Sequence, residues 1–428
     1  MDYKQSIDYL NTQFPVFAKI GAAAMTSGLE NIINLCSALG DPHQKIKTIH
    51  VAGTNGKGST SHMLAAVLQS AGYKTGLFTT PYLKDFREQI RINGEMISET
   101  YISAFIADRK ETLEQAHPSL YEVTVAMAFS YFADQETDIA IIEVGLGGKS
   151  DSTNIITPEL SIITNISFDH MNILGSSLDK IASEKAGIIK ESVPVVVGEK
   201  QHQSDIVFLE KAVQCGSELI FADLNLHTGN IRHEAHQQIT SVYHQDTLLF
   251  ENIILDLGGH YQLKNLLTVI QAVLTLRKQG WIISNEHIYN GLKHTTKYTG
   301  LQGRWYTLGE EPKIICDTGH NTAGIKEVMQ NINAVPHQNL HIIIGILKDK
   351  EVGEILSLFP ANATYYFCQL NFERATTASD LQTQAAVFGL KGDTYDSVSL
   401  ALTAAKQNAG PEDLIFIGGS TYVVAEVL

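Results

Sequence analysis

The chain has 428 residues, 44% of them hydrophobic and 18% charged, with a formal net charge of −15. That length exceeds one ordinary core and predicts two or three domains of a soluble globular protein. The acidic balance argues against a general nucleic-acid binder, which needs a basic face, but a local pocket can still take a small anion.

In chain order, "MDYKQSIDYLNTQF" lacks the apolar core of a signal peptide. "KTIHVAG" is a strand, followed by a helix through "STSHMLAAVLQSAG" and a short strand, "TGLFTT". "TDIAIIEVGLGG" and "ELSIITNIS" are buried strands; "SLDKIASEKAGIIK" is a helix before the strand "VPVVVGE". This alternation implies a mostly parallel sheet covered on both faces. From about 229 to 257 the pattern becomes an antiparallel meander, and the helix "YQLKNLLTVIQAVLTLRKQG" follows. Alternation then restarts with "KIICDTGHN", "LHIIIGILKDK", "TYYFCQL" and "DLIFIGGS", a second α/β unit. The polar stretch "KHTTKYTGLQGR" is the expected boundary, giving domains 1–298 and 299–428. The fold class is therefore α/β, with a P-loop-bearing, mostly parallel sheet domain and a smaller Rossmann-like α/β domain. No apolar run reaches about 18 residues, so no membrane span is expected. Cys36, Cys215, Cys316 and Cys368 lie far apart without C-x-x-C spacing, which suits a reduced cytoplasm rather than a disulfide or zinc framework.

The motif with the clearest chemistry is "HVAGTNGKGS". Gly53, Gly56 and Gly58 allow a tight turn and close ligand approach. Amides at the start of the following helix favour a phosphate, Lys57 adds a full charge, and the Ser59 hydroxyl can reach a magnesium ion. The spacing G-x-x-G-K-G-S departs from G-x-x-x-x-G-K-[ST]. Phosphate binding alone leaves kinase, switch protein and ligase open. In "AIIEVGLGGKSDSTN", Glu143 ends a buried strand, where a carboxylate is costly unless paired or metal-bound. "TNISFDHMNILGSSLDKIASEKAGIIK" supplies Asp169, His170 and Lys185. Chemistry alone favours a capping or core histidine for His170, since imidazole suits softer metals than magnesium. It likewise favours a surface position for Lys185.

"HVAGTNGKGS" resembles the P-loop of the Mur ligase superfamily, specifically folylpolyglutamate and dihydrofolate synthases. "EVGLGG" and "DH…LG…L…IA…EKAGI" have close counterparts there. The resemblance implies ATP contacts from Thr54, Asn55, Gly56, Lys57, Gly58 and Ser59. It implies magnesium ligation by Glu143 and His170, with Lys185 carbamylated so that it becomes a ligand; only a lysine of lowered pKa is nucleophilic enough for that. "LFTTPYLKDFREQIRING" is similar to the family's mobile loop, with Thr80 where serine is usual and its hydroxyl kept for magnesium. Tyr82 and Gln89 replace the usual histidine and arginine. "SLYEVTVAMAF" resembles the family's aromatic-Glu-x-x-Thr segment, implying a pteroate pocket lined by Ser119, Leu120, Tyr121 and Glu122. Ser150, Asp151 and Ser152 would join it, although the usual Arg-Leu pair is Lys149-Ser150.

Asn265 in "GGHYQLKNLL" resembles an adenine contact, and Arg304 in "GLQGRW" a phosphate clamp, with Gln302 in place of proline. In "CDTGHNTAG", Asp317 would accept from ribose or arrange phosphates and His320 would lie near the transferred group. Read alone, Asp317 and Asn321 also fit turn and N-cap positions. "GILKDK", "NFERATTASDL" (with Arg374 retained) and "GGSTYVVAEVL" resemble framework landmarks. The resemblance implies an ATP-dependent ligase that adds L-glutamate to dihydropteroate and to the γ-carboxylate of folates through an acyl phosphate. ATP, two magnesium ions and a monovalent cation such as K+ would serve it, in a cytoplasmic monomer without nucleic-acid or membrane partners. Folylpolyglutamate synthesis alone, a Mur-type peptidoglycan-precursor ligase and a nucleotide switch are the competing readings. A Mur ligase normally adds an N-terminal UDP-binding domain, for which a P-loop beginning at residue 53 leaves no room.

Overall fold

The computed structural model describes residues 1–24, 28–234, 237–348, 350–370 and 374–428. Asp349 of "GILKDK" and residues 371–373 of "NFERATTASDL" therefore lie outside the described residues.

The first sheet has eight strands: β1 (Thr48–Ala52), β2 (Thr75–Phe78), β3 (Ile90–Ile92), β4 (Glu95–Met96), β5 (Ile139–Glu143), β6 (Leu160–Ile163), β7 (Val195–Val197) and β8 (Leu219–Phe221). Their order is β4-β3-β2-β5-β1-β6-β7-β8. The pairs β2–β5, β5–β1, β1–β6, β6–β7 and β7–β8 are parallel, and the β2–β3 and β3–β4 pairs at one edge are antiparallel. β1, β2, β5 and β6 are buried along their whole length, which explains their mostly apolar runs without a polar side. His50 in β1 and Ser161 in β6 are polar exceptions, buried too, that hydrogen-bond internally, to Thr153 Oγ1 at 2.8 Å and Ile188 O at 2.8 Å. One face packs under the helices Lys57–Ser70 and Gln262–Lys278, through Met63, Val67, Leu266 and Val269. Within the first unit, a second cluster holds Phe78, Phe105, Phe129 and Phe132.

The meander is a separate three-stranded antiparallel sheet of β9 (Leu226–Glu234), β10 (Gln237–His244) and β11 (Thr247–Leu255), with β10 in the middle. The third sheet contains β12 (Tyr306–Glu310), β13 (Lys313–Cys316), β14 (Leu340–Ile344), β15 (Thr364–Cys368), β16 (Lys391–Tyr395) and β17 (Leu414–Gly418), in the order β12-β13-β17-β14-β15-β16. Apart from the antiparallel β12–β13 edge it is parallel. The architecture is thus mixed α/β, a large mainly parallel sheet followed by a smaller α/β domain. Several elements are shorter than their patterns suggested: β14 stops at Ile344, and the helix Leu178–Ala186 ends before Gly187. Conversely, the helix after β1 starts at Lys57, two residues early, so Lys57 and Gly58 belong to its first turn. Among the described residues, no helix is long and apolar enough to cross a membrane.

Candidate active site

Register places the carboxyl ends of three strands together: Val51 pairs with Glu143, and Ala52 with Ile163. In an open parallel sheet this is where ligands collect. The loop leaving β1 is stapled to the loop leaving β6. Thr54 N donates to Asn165 O at 2.9 Å, Asn55 N to Asn165 Oδ1 at 3.1 Å, and Thr164 Oγ1 to Asn55 O at 2.6 Å. Two glycines are required by space as well as angle. A Cβ on Gly53 (φ 142°) would fall 1.8 Å from Thr164 Oγ1, and one on Gly56 (φ 85°) 2.2 Å from Asn265 Oδ1. Lys57 Nζ donates to Thr54 O at 3.2 Å, folding the lysine back over the turn. Ser59 Oγ accepts from Gln262 Nε2 at 3.2 Å, and Gln262 Oε1 accepts from Asn265 Nδ2 at 2.8 Å, so the loop, the following helix and the helix Gln262–Lys278 form one unit.

Around this turn lies a cleft of about 560 Å3. Its walls include Thr54, Asn55, Gly56, Lys57, Gly58, Ser59, Thr80, Glu143, His170, Lys185 and Asn265, with Arg304, Asp317 and His320 from the second domain. Ser119, Leu120, Tyr121, Ser150, Asp151 and Ser152 also line it. Glu122 is the predicted site residue that does not: it is fully buried, and Oε2 accepts from Ser119 N (2.7 Å), Ser119 Oγ (2.9 Å) and Asn31 Nδ2 (3.1 Å). It closes a capping box on the helix Leu120–Asp134, a structural role that accounts for its burial.

Lys185 departs from the surface position that chemistry alone favoured. It is buried, not at the surface, and Nζ donates to Gly53 O at 2.8 Å. Burial, reinforced by the charge of Lys57, lowers its pKa to about 7. Glu143 is buried too, and Oε2 accepts from Thr80 N at 3.2 Å. Burial pushes its carboxyl upward, against the pull of Lys57, the Thr80 amide and Arg304. His170 occupies the N-cap position of the short helix Met171–Leu174 but makes no side-chain cap bond, and its ring faces the cleft.

Two predicted residues are more fully braced than their expected roles suggest. Asp317 accepts from Tyr261 OH (2.5 Å), Trp305 N (2.8 Å) and Gly319 N (2.8 Å). Asp151 accepts from Tyr121 OH (3.1 Å), Leu146 N (2.9 Å) and Thr153 N (3.0 Å). Each shapes its loop as much as it faces the cleft. Asp169 and Lys350, to which no role was assigned, join His320, Asn321 and Asn55 in holding the domains together. Asp169 accepts from Lys350 Nζ through Oδ1, and through Oδ2 from Asn321 Nδ2 (3.0 Å) and His320 Nε2 (3.2 Å). Burial opposes its charge, but His320, Lys350 and His170 outweigh that and hold its carboxyl well below the usual range. Asn55 and Asn321 exchange amide hydrogen bonds at 3.1 and 3.0 Å. The partners lie 152 and 181 residues from Asp169, beyond any local pattern.

Among the described residues no cluster of three His, Cys, Asp or Glu side chains forms a ready metal cage. Magnesium does not need one: it takes a carboxylate or two, keeps waters and accepts phosphate oxygens. The donors here fit that habit: the buried Glu143 carboxylate and the hydroxyl-bearing residues Thr80 and Ser59 line one cleft.

Two family models match the chain: the Mur ligase middle domain over residues 51–273, and the Mur ligase glutamate ligase domain over residues 303–421. The dihydrofolate synthase/folylpolyglutamate synthase of Bacillus subtilis is 31% identical over 432 residues, covering 94% of both chains. The probable bifunctional folylpolyglutamate synthase/dihydropteroate synthase of Haloferax volcanii is 29% identical over 437 residues; the match takes in 100% of this chain but spans half of that longer protein. The solved structure of E. coli FolC in complex with DHPP and ADP superposes with a TM-score of 0.87 at 28% identity, covering 100% of this chain and 97% of that one.

Proposed function

The chain belongs to the Mur ligase superfamily, among the folylpolyglutamate and dihydrofolate synthases, and from that premise we propose that it carries both synthase activities. As a member of that family it is an ATP-dependent ligase that adds glutamate to folates. The two acceptors in our reading are the carboxylate of dihydropteroate and the γ-carboxylate of a folate's glutamyl tail. The observation that carries it is the single cleft in which Lys57, Glu143, Lys185, Arg304 and His320 meet across the two domains.

The acid's carboxylate oxygen attacks the γ-phosphorus of ATP, and ADP leaves with the electrons of the broken P–O bond. The amine of glutamate then attacks the acyl carbon; phosphate leaves, and the nitrogen's surplus proton passes to solvent. Positioning is the main task, and holding reactants in line is worth roughly 7–11 kcal/mol of barrier. Thr54, Asn55, Gly56, Gly58 and Ser59 cradle the phosphates, and Lys57 and Arg304 neutralise charge at the transferred group. Asn265 faces the adenine, Asp317 shapes the nucleotide loop and His320 lies by the transferred phosphoryl. Ser119, Leu120, Tyr121, Ser150, Asp151 and Ser152 hold the pteroate. Magnesium supplies Lewis-acid neutralisation of phosphate oxygens; Thr80 and Glu143 would hold one ion, and His170 with carbamylated Lys185 the second. A K+ site, a monomeric cytoplasmic chain and the boundary between 298 and 299 complete the proposal.

The test is an ADP-release assay with dihydropteroate, tetrahydrofolate or a UDP-muramoyl acceptor, each with and without glutamate. Glutamate-dependent release with the first two is expected. Turnover with tetrahydrofolate alone removes the dihydrofolate half, and turnover with only the third redirects the reading to wall synthesis.

A further inference from the structure

His50 is an unexpected residue for its position. Ile49 and Val51 of β1 enter the cluster under the helices Lys57–Ser70 and Gln262–Lys278, so His50 points to the other face, where Ile142 and Ile156 pack. It is fully buried, and its Nδ1 has no hydrogen-bond partner among the described residues. An apolar side chain would fill that place without leaving a buried nitrogen unmatched. What histidine adds is its other nitrogen, Nε2, which lies 2.8 Å from Thr153 Oγ1. The Thr153 hydroxyl in turn donates to Asp151 Oδ1 at 2.5 Å. A hydroxyl has one proton, and here the carboxylate receives it, so the imidazole is the donor to Thr153. The ring proton therefore sits on Nε2 and Nδ1 is bare.

We propose that His50 is a positioning residue for the acid acceptor: through Thr153 it fixes the Asp151 carboxylate so that one oxygen is kept for an N–H of the pterin ring. This rests on the reading above that Asp151 lines the pteroate pocket. Asp151 is only 5% exposed, yet it borders the cleft. Its Oδ1 accepts from Thr153 N (3.0 Å), Thr153 Oγ1 and Tyr121 OH (3.1 Å). Oδ2 has Leu146 N at 2.9 Å and a longer Tyr121 contact of 3.4 Å, which leaves room for a ligand donor there. Burial and the charge of Lys190 lower the His50 pKa to about 3, so the ring is neutral near pH 7 and keeps a single N–H to give. Lys190 braces the same segment from another side, with Nζ donating to Asn154 O at 2.8 Å. His50 also belongs to the strand that feeds the phosphate turn at Gly53. One side chain thus ties the acceptor loop to the element carrying the phosphate site, which holds the two reacting groups in register.

Two measurements test this. Nitrogen NMR on protein labelled with 15N-histidine, with the His50 signals assigned by their loss in His50→Gln, reports which ring nitrogen carries the proton. A protonated Nε2 and a bare Nδ1 are expected at neutral pH; a bare Nε2 overturns the relay. In steady-state kinetics with dihydropteroate and ATP varied separately, His50→Leu and Thr153→Val are each expected to raise KM for dihydropteroate about tenfold, with KM for ATP within about twofold. His50→Gln, whose amide nitrogen can stand in for Nε2, is expected to restore that KM to within about threefold of wild type. Because both residues act through one carboxylate, the double variant His50→Leu with Thr153→Val is expected to lose no more than either single variant. An unchanged dihydropteroate KM in both single variants overturns the proposal. So does an equal rise in both KM values that His50→Gln fails to repair, which marks His50 as part of the core alone. Either result, found beside dihydropteroate turnover in the wild type, leaves the functional reading standing; a wild type that takes no dihydropteroate overturns both.

Discussion

Lys185 depends on its burial. Its amine must be neutral to add CO2, and burial beside Lys57 brings its pKa to about 7. From one unit below that value to one unit above, the neutral fraction rises from roughly a tenth to nine-tenths. We expect a carbamate signal by 13C NMR with labelled bicarbonate, growing as pH rises through 7 and absent from Lys185→Ala; a spectrum with no such signal at either end refutes the modification. Chemistry alone put Lys185 at the surface and passed over a signal in the sequence: Ile181, Ala182, Lys185 and Ala186 form the inward face of their helix at helical spacing. Glu122 shows the converse. Its segment matched a substrate motif, yet Ser119 three residues earlier makes an equally plain capping box. Glu122→Ala should therefore cost about 1–2 kcal/mol in chemical denaturation and leave the dihydropteroate KM nearly unchanged. A large KM rise with full stability would return it to the pocket.

At the scale of elements, strands were the most legible part. Strands buried on both faces stood out by their apolar residues even with His50 inside β1 and Glu143 ending β5, and their ends pointed to the candidate site because backbone and helix termini converge there. The glycine turn was legible for its chemistry but not for its supports. Nothing local in Thr164, Asn165 or Gln262 announces that they hold it, since each acts from a distant strand end or helix. The helices Tyr3–Gln13 and Glu30–Ala38 carried no functional signal, yet Pro15, Val16, Phe17 and Ala24 in the intervening segment form part of the cleft wall. The turn permits a sharp prediction. Alanine at Gly56 meets both a positive φ and the Asn265 side chain. Gly56→Ala should weaken binding of an ATP analogue about tenfold or more by calorimetry, with a loss of at least about 1 kcal/mol in stability. Unchanged affinity would mean that the backbone there does not approach the nucleotide.

For the whole molecule, the proposed site lies in a cleft lined from both parts of the chain rather than within either. Sequence motifs gave the ordered parts list on each side, because each motif is local. What joins the sides, Asp169 with Lys350, His320 and Asn321, and Asn55 with Asn321, rests on tertiary placement that periodicity does not encode. The same closed arrangement brings the nucleotide turn and the acid pocket into one cleft, so the phosphoryl group is expected to pass directly onto the substrate's carboxylate. Isotope transfer tests this. With dihydropteroate labelled with 18O in its carboxylate, plus ATP and glutamate, the account predicts that the released phosphate carries one 18O per amide formed. Unlabelled phosphate alongside normal dihydrofolate formation would contradict it.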